Sequence, residues 1–145
     1  MLEVIPKILI ISLIAGLTAQ GIKILIKSTK NGKFNVKSVD DYGGMPSSHS
    51  AFLISLLTAI GLQEGVLSTA FAVTFIIATL LIRDAVGIRM ELEQQGKFLK
   101  KVAEVQQPKL KIANGIGNRI GHTYPEVIVG GAIGFALALI LYYFL

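Results

Sequence analysis

Four apolar runs, at residues 4–26, 51–62, 66–82 and 124–145, set the strongest limit on what this chain can become. The first and last are long enough for a helix to cross a hydrocarbon core, which takes ~20 residues. The third is unbroken and rich in β-branched residues and Phe. Its length and its company argue for helix over strand. The second is short, and crosses only when counted from Ser47 and tilted little. A chain of 145 residues with 52% hydrophobic and 16% charged residues is too apolar for an ordinary soluble domain of this size. The expectation is one domain, 1–145, folded as an all-α integral membrane protein: a bundle of about four transmembrane helices plus a cytoplasmic amphipathic helix. The first run has no n-region of several positive charges and no small-residue cleavage site after it, so it reads as a mature helix rather than a signal peptide.

The segments between the runs supply the orientation. Residues 27–42 read as a polar loop carrying Lys27, Lys30, Lys33 and Lys37, with Asn31-Gly32 as a turn signal. Gln63-Glu64-Gly65 reads as a tight turn. Residues 83–121 form the long polar segment. Within it, 90–106 sets Met90, Leu92, Phe98, Leu99 and Val102 among charges, the pattern of a basic amphipathic helix on the membrane surface or against the bundle. Pro108 ends or kinks that helix, and 110–120 reads as a short helix or loop. Four spans place both basic segments on one side. Loop 27–37 holds four lysines and 83–119 holds eight Lys and Arg, against Glu3, Lys7 and Glu64 opposite. The positive-inside rule then predicts a multi-pass protein of the cell inner (plasma) membrane, both basic segments in the cytoplasm and both termini outside. The net charge of +5 lies in these blocks, so it reads as topology signal and headgroup contact rather than a nucleic-acid footprint. The absence of cysteine excludes disulfides, a thiol nucleophile and thiolate metal sites. Gly130 and Gly134 permit close helix approach, within the fold or at the seam of a homodimer.

The sharpest switch from polar to apolar falls at Gly43-Gly44-Met45-Pro46-Ser47-Ser48-His49-Ser50-Ala51-Phe52. Ser47, Ser48 and Ser50 are candidate N-caps, so His49 sits at a helix N-terminus, where N–H groups and the dipole favour an anion. The predicted topology brings further polar residues to this same membrane face. Lys23 lies at the end of the first helix, Asp84 and Arg89 follow the third, and His122 and Glu126 open the fourth. Ionisable residues within membrane segments are costly and point to function. These types suit phosphoryl transfer. Two histidines can act as nucleophile and general acid. Lys23 and Arg89 can neutralise phosphate charge, Arg by gripping two oxygens. Glu126, four residues after His122 on one helical face, can hold that imidazole in its reactive tautomer. Asp84 can pair with Arg89 or Lys23, or bind Mg²⁺ with phosphate oxygens; the ion pair is the preferred reading. Taken singly, each has a plainer explanation: Lys23 snorkelling to the interface, and His49 an incidental residue of a well-capped helix.

The same residues resemble the type-2 phosphatidic acid phosphatase superfamily, which is related to the acid phosphatases and vanadium haloperoxidases, and in particular its small divergent branch. Pro46-Ser47-Ser48-His49 is similar to the superfamily's Pro-Ser-Gly-His element, with serine for glycine. His122-x3-Glu126 is similar to the end of its Ser-Arg-x5-His-x3-Asp element, with Glu for Asp. Two positions depart from the pattern. Ile116 stands where that element carries arginine, and the Lys-x6-Arg-Pro element is represented by Lys23 alone. The divergent branch is matched more fully, at Ala19-Gln20-x2-Lys23, at Gly43 through Ala51, at Asp84-Ala85-x-Gly87-Ile88-Arg89, and at Gly121-His122-x2-Pro125-Glu126-Val127 with Gly130-Gly131.

The resemblance implies His122 as nucleophile, His49 as the acid that protonates the leaving oxygen and Glu126 as the orienting carboxylate. Lys23, Ser47, Ser48 and Arg89 would bind phosphate, with Asp84 in support. Arg89 is the substitute for the missing arginines, with Arg83 and Arg119 in reserve. The expected activity is hydrolysis of a lipid phosphomonoester, phosphatidylglycerophosphate or phosphatidate, through a phosphohistidine, with no metal or other cofactor. The alternative is a non-catalytic module that binds or transports a lipid phosphate. Bis-histidine haem ligation is a third reading, which the serine cap and the basic residues do not require.

Overall fold

Five α-helices account for most of residues 6–31, 44–106 and 120–145, which are those the computed structural model describes. They are α1 (Lys7–Asn31), α2 (Ser48–Glu64), α3 (Thr69–Val86), α4 (Ile88–Gln106) and α5 (Tyr124–Phe144). Their limits depart from the apolar runs for local reasons. α1 continues through Lys27 to Asn31, since lysine is a good helix former whose stem lies along apolar surface while its charge reaches water. α2 likewise runs through Gln63 and Glu64, and the chain turns at Gly65, whose φ of 86° suits glycine. Val66 and Leu67 are apolar but stand outside α3. That helix starts where the Ser68 hydroxyl accepts the Phe71 N–H at 3.2 Å, a cap that neither Val nor Leu can supply. The expected short helix or loop at 110–120 lies almost wholly outside the described residues, as do the lysine loop beyond Asn31 and Pro108.

The interior of the bundle is built from small side chains. Ala15, Ala19, Ala51, Ala59 and Ala138 are fully buried, with Ser12, Ser47 and Ser55 beside them, and Ile11 is the largest apolar residue so enclosed. The large apolar residues face outward instead, among them Leu13 and Leu17 of α1, Phe75, Ile76 and Leu80 of α3, and Phe135 and Ile140 of α5. A water-soluble protein distributes them the other way round. In lipid, outward Leu and Phe carry no penalty, and small residues let helices approach closely enough for dispersion contacts to hold them. α1, α3 and α5 are each long and apolar enough to cross a bilayer. The molecule is an all-helical membrane protein.

α2 is the centre of the packing. It lies against α5, α1 and α3, while α1 and α5 also pack together and α4 packs against α3. The approach of α5 to α2 depends on two glycines. A Cβ on Gly130 would stand 2.2 Å from the Ser47 carbonyl oxygen, and one on Gly134 would stand 2.2 Å from that of Ala51. The Gly130–Gly134 stripe is therefore used inside the fold.

The ends of the helices are tied at two levels. At one end Lys7 Nζ donates to the Tyr142 carbonyl at 2.6 Å, and Tyr142 Oη donates to the Leu62 carbonyl at 3.3 Å. This level joins the start of α1 to the ends of α2 and α5. At the other, Gly44, just ahead of α2, lies against Lys23 and Lys27 of α1. There the His122 N–H donates to the Ala85 carbonyl at 3.0 Å, joining the entry to α5 with the end of α3.

Candidate active site

The second level collects the polar residues. Ser47, fully buried, caps α2: its Oγ accepts the Ser50 N–H at 3.3 Å and the Ser50 hydroxyl at 2.9 Å. Its own N–H donates to the Glu126 carbonyl at 3.0 Å. The starts of α2 and α5 are thus joined backbone to backbone, an approach that needs glycine at 130, where a Cβ would meet Ser47. The N-termini of both helices, each the positive end of a dipole, meet here.

His122 stands just before α5 and is 2% exposed. Its Nδ1 lies 3.1 Å from Glu126 Oε2, and the same oxygen accepts the Thr123 N–H at 3.2 Å. An ionised carboxylate only accepts, so Nδ1 carries the proton and the neutral ring keeps its lone pair on Nε2. One oxygen therefore does two tasks, half of a capping box for α5 and the orientation of the imidazole. Burial pulls the His122 pKa below the ordinary 6.5; the hydrogen bond and charge of Glu126 oppose this without cancelling it, and the Lys23 charge adds to the lowering. The ring is held neutral, the state in which histidine is a nucleophile.

His49, on the first turn of α2, is exposed and faces His122. The ring centroids are 6.3 Å apart and the planes inclined at 60°. That separation is too long for a hydrogen bond between the rings, and it leaves a gap flanked by two imidazoles. Lys23 is 3% exposed, and its charge acts on both rings. Arg89 Nε donates to Asp84 Oδ2 at 2.8 Å, and the Arg89 charge also acts on His49. Ser48 is half-buried beside them on α2.

The structure thus brings Lys23, Ser47, Ser48, His49, Asp84, Arg89, His122 and Glu126 to one end of the bundle. Ser47 spends its hydroxyl on the cap. Arg83 is exposed and lines a different hollow, of about 470 Å³, with Thr79, Tyr124 and Val127. Arg119 lies outside the described residues. Sequence reasoning assigned no role to Glu93 of α4. Its Oε2 accepts the N–H groups of Ile120 at 3.2 Å and Gly121 at 3.4 Å, while Oε1 pairs with Lys97 at 2.5 Å. With the Ala85 carbonyl it fixes the backbone that leads into His122. The Glu93–Lys97 spacing of four is readable as a helical ion pair, but nothing local marks Ile120 and Gly121 as its other partners.

Chemically, the arrangement offers a neutral imidazole with a free Nε2, a second imidazole across a gap, two cations and two helix N-termini. It suits an anion that undergoes transfer to nitrogen.

Comparison with known proteins gives a family profile described as "Divergent PAP2 family", matched over residues 5–137. The chain is 34% identical to the "Uncharacterized membrane protein YuiD" of Bacillus subtilis (strain 168), over 94% of each chain. No solved structure matches.

Proposed function

This chain belongs to the divergent PAP2 family, and from that premise we propose that it is a membrane lipid phosphatase acting on a phosphomonoester headgroup. The observation that carries the reading is the pairing of His122 Nδ1 with the buried Glu126, opposite a second histidine 6.3 Å away ring to ring.

In the first step the Nε2 lone pair of His122 attacks phosphorus. The bond from phosphorus to the lipid oxygen breaks, and that oxygen takes a proton from His49. A phosphohistidine and a lipid alcohol result. His49, now neutral, takes a proton from water as the water oxygen attacks phosphorus. The P–N bond breaks, His122 recovers its lone pair and inorganic phosphate leaves. Glu126 keeps Nδ1 protonated and balances the charge that grows on the ring, the orienting role in a triad. Lys23 and Arg89 offset the phosphate charge, and Asp84 positions Arg89. The bound phosphate dianion favours the protonated His49 that the first step needs.

The concentration of Lys and Arg in the segments on the site's side supports, by the positive-inside rule, a site that faces the cytoplasm at the plasma membrane. An anionic lipid made on the inner leaflet then fits best, phosphatidylglycerophosphate ahead of phosphatidate because it carries more charge. A second reading, a non-catalytic module that binds or transports a lipid phosphate, is favoured by one observation: Ile116 stands where the superfamily's third element has arginine.

The test is phosphate release by purified protein in micelles from phosphatidylglycerophosphate, phosphatidate and a polyprenyl pyrophosphate at equal surface fraction. We expect release from the first two, with His122→Ala inactive and unable to trap any phosphoenzyme. His49→Ala should lose about 10²–10⁴-fold on lipid and much less on an activated aryl phosphate, whose leaving group needs no acid. Binding without release in the wild type selects the second reading.

A further inference from the structure

A cavity of about 240 Å³ lies between α2 and α3 and opens on the candidate site. Its two ends differ in chemistry. One is lined by His49 and Arg89, the other by Phe52 and Leu53 of α2 with Leu81 and Ile82 of α3. Leu81 is 45% exposed on the outward face of α3, so the apolar end reaches the surface that lies in lipid. α3 meets α2 at Phe71, whose ring lies against Gly61, and the buried positions of α3 among the described residues are the small Ala78 and Ala85. The hollow lies where larger side chains would otherwise close this seam.

We propose that this cavity is the seat of one hydrocarbon chain of a lipid phosphomonoester, which enters sideways from the bilayer between α2 and α3. The phosphate rests against His49 and Arg89 and the chain runs along Phe52, Leu53, Leu81 and Ile82. The assignment of the reacting group rests on the phosphatase reading; the seat of the chain rests on the cavity. Three observations fix the occupant. The cavity is continuous with the site, so whatever fills it has its polar end at His49 and Arg89. Its cationic mouth and apolar floor match an anionic amphiphile and no wholly polar phosphate ester. Its volume is below the roughly 300–1,000 Å³ of a pocket that encloses a whole small molecule, so it takes a chain segment while the remainder of the lipid stays in the bilayer. The hollow beside Arg83 and Tyr124 lies across α3 and shares only Ile82 with it.

The experiment uses the purified full chain in nanodiscs and two photoreactive probes with a diazirine at mid-chain: a phosphatidate, and the diacylglycerol that lacks the phosphate. Cross-linked residues are mapped by mass spectrometry. The phosphatidate should label Phe52, Leu53, Leu81 and Ile82 about tenfold more than the diacylglycerol does, a ratio equal to ~1.4 kcal/mol of headgroup contact. Leu81→Trp should remove that enrichment and lower the ratio of lipid to aryl phosphate turnover by a similar factor. Equal labelling by the two probes, labelling centred on Tyr124 and Val127, or an unchanged ratio in Leu81→Trp overturns the proposal. Labelling of the cavity without phosphate release leaves the seat in place and refutes the catalytic reading. Release with even labelling of all outward faces does the reverse.

Discussion

Glu126 holds two structures with one oxygen, and the chemistry of His122 follows from it. Burial lowers the affinity of His122 for a proton and Glu126 partly restores it. Removing the carboxylate must therefore move the pKa further down, not up. In Glu126→Gln, with the two histidines of the chain labelled for NMR in micelles, the His122 titration should shift to lower pH than in the wild type. An upward shift would show that the carboxylate is not the partner of Nδ1. Turnover should fall as well, on the order of 10²-fold or more, because an amide can donate to Nδ1 and so favours the wrong tautomer. Much of this residue-level arrangement was legible in the bare sequence, since a spacing of four on a helix puts Glu126 over His122. The Glu93 clamp was not. Its partners lie 27 and 28 residues along the chain, and contacts of backbone N–H leave no mark in the types of the residues that provide them.

The helices were legible as apolar runs because length and composition alone distinguish a membrane helix. Their ends were less so, because caps are decided by single hydroxyls: Ser68 left Val66 and Leu67 outside α3 although both extend its apolar run. The seam between α2 and α5 was readable only as a glycine spacing with two uses, and the structure assigns it to α2. A methyl at Gly134 would stand 2.2 Å from the Ala51 carbonyl oxygen, a backbone atom, so the helices would have to move apart. Gly134→Ala should therefore destabilise the protein by about 1–3 kcal/mol, as overpacking does, read as a drop in the melting temperature in detergent. Gly131→Ala is the control. Its Cβ would lie 3.4 Å from Ile54 Cγ1, an ordinary contact, and the melting temperature should hardly change. A like loss from both would point to helix propensity or detergent effects instead of the seam. The Asp84–Arg89 pair, each about a third exposed, belongs to a different class. Asp84→Asn should alter stability by no more than about 1 kcal/mol, so a larger loss of activity would report on Arg89 placement.

At the scale of the whole molecule the question is which way the bundle sits. The chain contains no cysteine, so single cysteines report cleanly. One placed at Gln63 should react with an impermeant thiol reagent on intact cells, and one at Lys101 of α4 should react only after the cells are opened. The opposite pattern would turn the site outward and make an inner-leaflet substrate untenable. The uncovered apolar side of α4, with Leu92, Phe98 and Leu99 exposed, belongs on whichever face bears the site. Lys23 arrives with α1, His49 with α2, Arg89 with α4 and His122 with α5, while the joint between Ser47 and Glu126 closes only when α5 has slid in beside α2. During synthesis, no half-inserted chain can bring both imidazoles together, and the site exists only once the last helix is in place.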